Sequence, residues 1–268
     1  MTIGPDAWRY LALARGERVV RPFHLRWLLP AVCGESLRRW QAVRWCSWAL
    51  AAGGMVAVSP SLRGLAAAVL LISLPGAQGP PVCNPVGVDL PAMALGIWAW
   101  AALEHGLWPV AVALIVLAGC VKESAPIFAA LWAWHPVLLV GLIPVGIRAL
   151  TSRPGVDRLT EQNPTLRQVH EHPFITAWLA HREQWRDAWI MVAPWGACLA
   201  ALYQPAWPIV AVLIVAHLQL LVATDTVRLT HTAAGPAVAL AAAQVIPLAW
   251  LPLALVLHVA WWRRPTMI

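Results

Sequence analysis

Few side chains in this sequence can do acid–base or electrostatic chemistry, and most of them stand at the edges of apolar runs. Asp6 opens a short amphipathic segment that also carries Arg9 and ends at Arg15. Arg26 follows soon after Pro22. Lys122, the only lysine, and Glu123 separate two apolar runs, and Asp225-x-x-Arg228 precedes another. A positioned carboxylate can take a proton from a hydroxyl, and clustered cations can hold a phosphate. Each residue also has an ordinary reading. Asp6 can cap its helix, Lys122 can snorkel from a helix end, and Arg228 can pair with Asp225. Arg9 and Arg26 can reach lipid headgroups. His170-Glu171-His172 with His181 offers ligand types for a metal, but the spacing matches no zinc pattern. No metal and no cofactor is expected, and no Walker, GxSxG or GxGxxG pattern occurs.

The elements that must position these residues follow from composition. Apolar residues make up 60% of the 268, charged residues 12%, and the mean hydropathy is +0.66. A soluble domain carries roughly a quarter charged residues. The expected class is therefore all-α: a polytopic helical membrane protein with seven to nine mostly short spans, an integral protein of a bacterial-type plasma membrane. Disorder, a disulfide scaffold and a collagen-like fibre are excluded. Eighteen Trp suit a chain with many bilayer interfaces. The net charge of +7 is read as juxtamembrane Arg meeting anionic headgroups, with membrane lipid and not nucleic acid as the partner. The five cysteines are scattered and are read as buried packing residues.

Residues 1–44 hold eight Arg and no long apolar run, and are expected as an interfacial amphipathic segment stopped first at Gly16. Trp8, Leu11 and Arg15 share one face at helical spacing. A first transmembrane bundle is expected over 45–147, a polar surface loop with short helices over 148–188, and a second bundle over 189–268. The apolar runs fall at about 45–59, 65–75, 88–103, 107–121, 125–134, 136–147, 189–203, 206–223 and 236–262. His135-Pro136 is either a turn between two short helices or a kink in one span. Gly53, Gly54, Gly141 and Gly146 are read as helix-packing contacts. His217 and His258, inside apolar runs, are read as hydrogen-bonded core or interface residues. Counting nine passes puts Asp6, Asn84, Lys122-Glu123, the 148–187 loop and Asp225–Arg228 on one face. Ionisable residues at helix ends are costly, so one-sided clustering points to a shared site.

The ordered motifs carry a family resemblance. Asp6-x-x-x-Tyr10-x-x-x-Ala14-x-Gly16, then Pro22-Phe23-x-x-Arg26-x-Leu28-x-Pro30, resembles the first extracytoplasmic loop of GT-C glycosyltransferases. The likeness continues through Asn84-Pro85, Lys122-Glu123-Ser124 and Asp225-x-x-Arg228, ahead of a helix opening with Pro236. It implies a polytopic enzyme that moves a sugar from a polyprenyl-phosphate donor to a hydroxyl on a glycan, lipid or protein. It implies Asp6 as the general base, basic residues on the lipid phosphate, and inversion at the anomeric carbon. Arg9, Arg26, Lys122, Glu123, Asp225 and Arg228 would line the substrate site. The chain departs from the family in length and in having no transmembrane helix ahead of Asp6. Sixteen of the 19 basic residues lie on the face holding Asp6, which the positive-inside rule would place in the cytoplasm and the family outside. The alternative is a non-catalytic GT-C-like membrane subunit or lipid-binding membrane protein. A small transporter would need ionisable residues in mid-helix, and the runs show few.

Overall fold

A computed structural model describes residues 5–76, 86–155, 161–162, 167–168, 171–184, 192–203, 206–221 and 226–262. The described residues are all-helical, with no strand. Helix α1 is Pro5–Ala14, and a 3-10 turn at Phe23–Leu25 leads to α2, Leu28–Cys33. Then come α3, Leu37–Val58; α4, Leu62–Ser73; α5, Asp89–Glu104; α6, Trp108–Val121; and α7, Ala125–Trp132. A 3-10 segment at Pro136–Gly141 runs into α8, Leu142–Thr151, and α9 is Pro173–Gln184. Another 3-10 segment, Ala193–Tyr203, precedes α10, Trp207–Leu218. The last described helices are α11, Thr226–Val245, and α12, Leu251–Trp262.

Local chemistry sets the ends of these helices. Ser36 and Ser61 cap α3 and α4 by accepting from the backbone N–H of Arg39 and Gly64. A proline stands in the first turn of α6, α7 and α10, where its missing N–H costs nothing. Gly16, with φ +77°, follows α1 in the left-handed region.

Packing is close where glycines allow it. A Cβ on Gly54 would stand 2.8 Å from Ile97, so α3 and α5 meet there. A Cβ on Gly119 would stand 2.1 Å from the Gly141 carbonyl oxygen, which seats α6 on the 3-10 segment. Gly146 faces open space, so it is not a packing contact. Indole N–H groups tie further pairs: Trp98 donates to the Leu50 carbonyl at 2.8 Å and Trp132 to the Ala233 carbonyl at 2.6 Å. Helix α11 packs against α4, α10 and the Ala193–Tyr203 segment, which joins the two ends of the chain in one core.

Several boundaries differ from the sequence expectations. His135-Pro136 is a break: α7 stops at Trp132 and Trp134 takes φ +49°. The apolar run 236–262 is two helices meeting at 117° near Pro247, and Pro236 lies inside α11 and does not open it. The polar stretch Thr230-His231-Thr232, which hid the true start, is buried. In α1 the inward face is Ala7, Tyr10 and Leu11, while Trp8 is 45% exposed, so Trp8 and Leu11 part company. Cys33, Cys120 and Cys198 are buried; Cys46 is exposed, and Cys83 lies outside the described residues. Among the described residues no single helix is both long and apolar enough to cross a membrane; α11 and α12 pass that test only as a bent pair.

Candidate functional site

Four elements deliver ionisable groups to one end of the bundle. Helix α1 places Asp6 in its first turn and Arg9 one turn on, with Arg9 Nη1 3.5 Å from Asp6 Oδ1. A first-turn acid also suits the positive end of the helix dipole. Arg228 enters from the first turn of α11, and its Nη2 lies 3.2 Å from Asp6 Oδ2. The same guanidinium reaches Asp89, the first residue of α5, with Nε 3.6 Å from Oδ2. Lys122, the extended residue that ends α6, closes the chain of contacts with Nζ 2.5 Å from Asp89 Oδ1. Asp6, Arg228 and Lys122 therefore meet through Asp89, although they are up to 222 residues apart in sequence.

A second pair stands alongside. Arg26 grips Glu123 with two parallel bonds, Nε to Oε2 at 2.7 Å and Nη2 to Oε1 at 2.6 Å. This bidentate fork is the strongest form of a guanidinium–carboxylate contact. Arg26 Nη1 also donates to the Tyr10 hydroxyl at 2.9 Å. The Phe23 ring lies under both Arg9 and Arg26, with guanidinium carbons 4.8 and 5.1 Å from its centroid. Tyr10 packs on Phe23 and Trp40, which fixes α1 against α3.

Burial sets the electrostatics. The Arg9 and Lys122 side chains are each 8% exposed and that of Asp89 13%. Burial would push the Glu123 carboxyl up, but the Arg26 guanidinium outweighs it and holds the group below the usual carboxylate range. Burial also pushes the Tyr10 phenol well above its ordinary value, so it stays protonated. His24, buried beside this cluster, is lowered by burial and by the positive charges of Arg21 and Arg148.

Two residues of this cluster were not among the sequence candidates. Asp89 is a lone acid at the start of the 88–103 apolar run, the same signal that marked Lys122. Arg44, buried on α3, points at the start of α5: a Cβ on Gly87 would stand 3.5 Å from its Nη1. It is one of eight Arg in the first 44 residues, and nothing local separates it from the others. Asn84-Pro85 and Asp225 lie outside the described residues. So do His170 and the side chain of His181, while Glu171 pairs with Arg167 at 3.0 Å. Among the described residues no group of three or more His, Cys, Asp or Glu is arranged to hold a metal.

A narrow pocket opens beside Lys122 and Asp89, floored by Met93, Phe128 and Trp132 and edged by Ser124 and Thr232. One wall is charged and the other apolar. Fold and site together define an all-helical protein with an ion network gathered at one end. Comparison with known proteins finds no matching family model, no matching curated protein and no matching solved structure.

Proposed function

We propose that this chain is a membrane-embedded glycosyltransferase that moves a sugar from a polyprenyl-phosphate donor to a hydroxyl acceptor with inversion. The observation that carries the reading is the chain of contacts from Asp6 through Arg228 and Asp89 to Lys122. It joins a carboxylate able to act as base to cations able to stabilise a leaving phosphate. In the proposed step the acceptor hydroxyl gives its proton to Asp6 and its oxygen bonds to the anomeric carbon. The bond from that carbon to the phosphate oxygen breaks, and the electron pair leaves on the phosphate. Lys122, Arg228, Arg9 and Arg26 meet the charge that develops there, with Glu123 holding Arg26 in place.

The membrane setting belongs to the same proposal. Large apolar side chains face outward on the short helices: Ile143, Ile147 and Leu150 on α8, and Phe174, Ile175 and Trp178 on α9. Such faces suit lipid contact at an interface. The bent pair α11–α12 would supply a broken span of the kind tolerated beside a cavity. The setting proposed is a bacterial-type plasma membrane, with the ion network on the extracytoplasmic face.

One observation favours the second reading, a non-catalytic lipid-binding subunit. Asp6 already faces two guanidiniums, those of Arg9 and Arg228, which occupy the carboxylate that an acceptor hydroxyl would have to reach. Transfer from polyprenyl-phosphate sugars by membranes expressing the protein separates the two. Asp6→Asn is expected to cut transfer by about 100-fold or more, the usual contribution of a general base, while expression holds. Full activity in the variant would remove Asp6 from the base role. No transfer by the wild type with any donor would leave the subunit reading.

A further inference from the structure

Exposed indole rings gather at the two ends of the bundle. At the end that holds the ion network, Trp8, Trp27 and Trp45 are exposed. Each is next in sequence to an arginine of that cluster, Arg9, Arg26 or Arg44. At the opposite end Trp108, Trp134 and Trp250 are exposed. Trp108 opens α6, whose other end is Lys122, and its ring lies 5.0 Å from that of His135, the neighbour of Trp134. Trp250 follows the end of α11 that is remote from Arg228. Indole rings collect where apolar and wet surroundings meet, so two sets mark two interfaces.

Between the two sets the helices carry no charge. No Asp, Glu, Lys or Arg occurs in α6, in α5 between Asp89 and Glu104, or in α3 after Arg44. The outward side chains there are apolar: Leu50 on α3, Leu65 on α4, Leu117 on α6 and Ile214 on α10 are all exposed. Arg38 and Arg39, also exposed, lie about two turns outside Trp45 on α3, at the depth of anionic headgroups. Basic, aromatic, apolar and aromatic layers follow one another as a bilayer would order them.

The apolar layer is short. Helix α5 has 16 residues and α6 has 14, which at about 1.5 Å per residue reach about 24 and 21 Å. Tilt only lowers those figures. Helix α11 is longer, but it is buried from Thr230 to Ala239 and does not set the outer face. The hydrocarbon of an ordinary bilayer is about 30 Å thick. An apolar face shorter than its bilayer is accommodated by thinning the lipid around it. We propose that the outer face of this bundle binds lipid as a surface matched to a thin bilayer, with about 20–24 Å of hydrocarbon, and that the chain thins an ordinary membrane around itself. The inference rests on the membrane setting of the transferase reading and not on its chemical step.

The test reconstitutes the full chain in phosphatidylcholine vesicles with monounsaturated chains of 14, 18 or 22 carbons, each mixed with a bromine-labelled phosphatidylcholine. Bromine quenches tryptophan only at contact, so the relief of quenching by each plain lipid gives its relative affinity for the protein. The 14-carbon lipid should be preferred to the 22-carbon one by at least about threefold, as a mismatch of several Å demands. Leu117→Arg puts a charge between the two sets of rings, and should cut the protein that stays with the vesicles after an alkaline wash at least about tenfold. Leu107→Arg, at the level of Trp108, should leave it within about twofold. If Leu117→Arg does not fold in detergent, Ile214→Arg makes the same change on α10. Equal affinity for the three lipids, or a preference for the longest, overturns the proposal. So does a folded mid-layer Arg variant that stays with the vesicles as the wild type does. A wild type washed off every vesicle overturns this proposal and the membrane setting together. A short-chain preference without sugar transfer from any donor would fail the transferase reading and leave this one standing. Transfer without any lipid preference would do the reverse.

Discussion

Two buried polar clusters sit in this molecule, and they solve the cost of burial in opposite ways. The cluster around Asp6, Asp89 and Arg228 is ionic and lies at one end. The other, built from Ser73, His231, His258 and the Ala193–Tyr203 segment, contains no Asp, Glu, Lys or Arg. Ser73 Oγ donates to the Leu70 carbonyl at 2.8 Å, so it receives from His258 Nδ1. His258 Nε2 lies 3.2 Å from the Ala197 N–H, from which it can accept, and 3.2 Å from the Trp195 carbonyl, to which it could only donate. His231 Nδ1 accepts from the Gly76 N–H at 3.1 Å, and its ring packs on Trp195 at 4.4 Å. The neutral cluster closes on itself and ties α4, α12 and the 3-10 segment together. The ionic one holds its charges by pairing them, Asp6 with Arg9 and Arg228, Asp89 with Arg228 and Lys122, and Glu123 with Arg26. The neutral cluster ties helices by hydrogen bonds alone, whereas the ionic one depends on every buried charge keeping its partner.

The largest effect that would break this contrast is expected at Asp89. Asp89→Ala leaves Lys122 and Arg228 facing each other in a shielded place, and breaking a buried pair this way costs about 3–5 kcal/mol. Unfolding of the purified protein in detergent would read it. The double variant Asp89→Ala with Lys122→Met should recover part of the loss, because it removes the stranded ammonium. A loss under about 1 kcal/mol would mean that the network is solvated like a surface pair. The two clusters would then not differ in kind.

The neutral joint should answer to shape first. Gly196 has φ +50°, and a Cβ there would stand 2.4 Å from the His258 ring. Gly196→Ala should cost about 1–3 kcal/mol through overpacking and backbone strain. Ser73→Ala removes one partner of His258 and should cost about 1–2 kcal/mol. Neither change should alter anion binding at the other end. If Ser73→Ala abolished it, the two clusters would be coupled and the contrast drawn here would fail.

What was readable in the sequence follows the cost of charge. In so apolar a chain, Asp6, Lys122 and Arg228 stand out, and the nine-pass count put them on one face. The structure brings those three side chains together. Asp89 obeyed the same logic but was absorbed into an apolar run, because a single acid barely changes a run's hydropathy. Arg44 was illegible for a different reason. Among the N-terminal Arg, tertiary packing alone decides that Arg9 and Arg44 turn inward while Arg15, Arg18, Arg21, Arg38 and Arg39 stay exposed. The neutral joint was half legible. His258 was expected to be hydrogen-bonded in the core, and it is. Thr230 and His231 precede the 236–262 apolar run and the helix start expected at Pro236, yet they are buried inside α11. Polarity misled there, since a buried polar group paired by its neighbours reads from sequence like an exposed one.

The smallest expected effect is a pH dependence at the rim of the ionic cluster. His24 is 6% exposed, in the 3-10 turn just before Arg26. Burial depresses its pKa first, then the charges of Arg21 and Arg148, while Glu123 pulls weakly the other way. Arg148 also donates to the His24 carbonyl at 3.4 Å, so its charge stays close. With the folded pKa below the unfolded value of about 6.5, the unfolded chain takes up a proton first as pH falls. Stability is then whole above about 6.5 and declines below it, by at most about 1.4 kcal/mol per pH unit, until the folded pKa is reached. Glu123 is also held below its ordinary value, but its contribution is lost only in a lower window, below about 4.5. The two groups therefore separate on the pH axis. Stability of the wild type and of His24→Gln, measured between pH 7.5 and 5.5, should diverge as pH falls, with the Gln variant declining less. Parallel curves would mean that His24 gains its proton as readily in the folded protein as in the unfolded one. It would then count as one more cation beside Arg26 at mildly acidic pH.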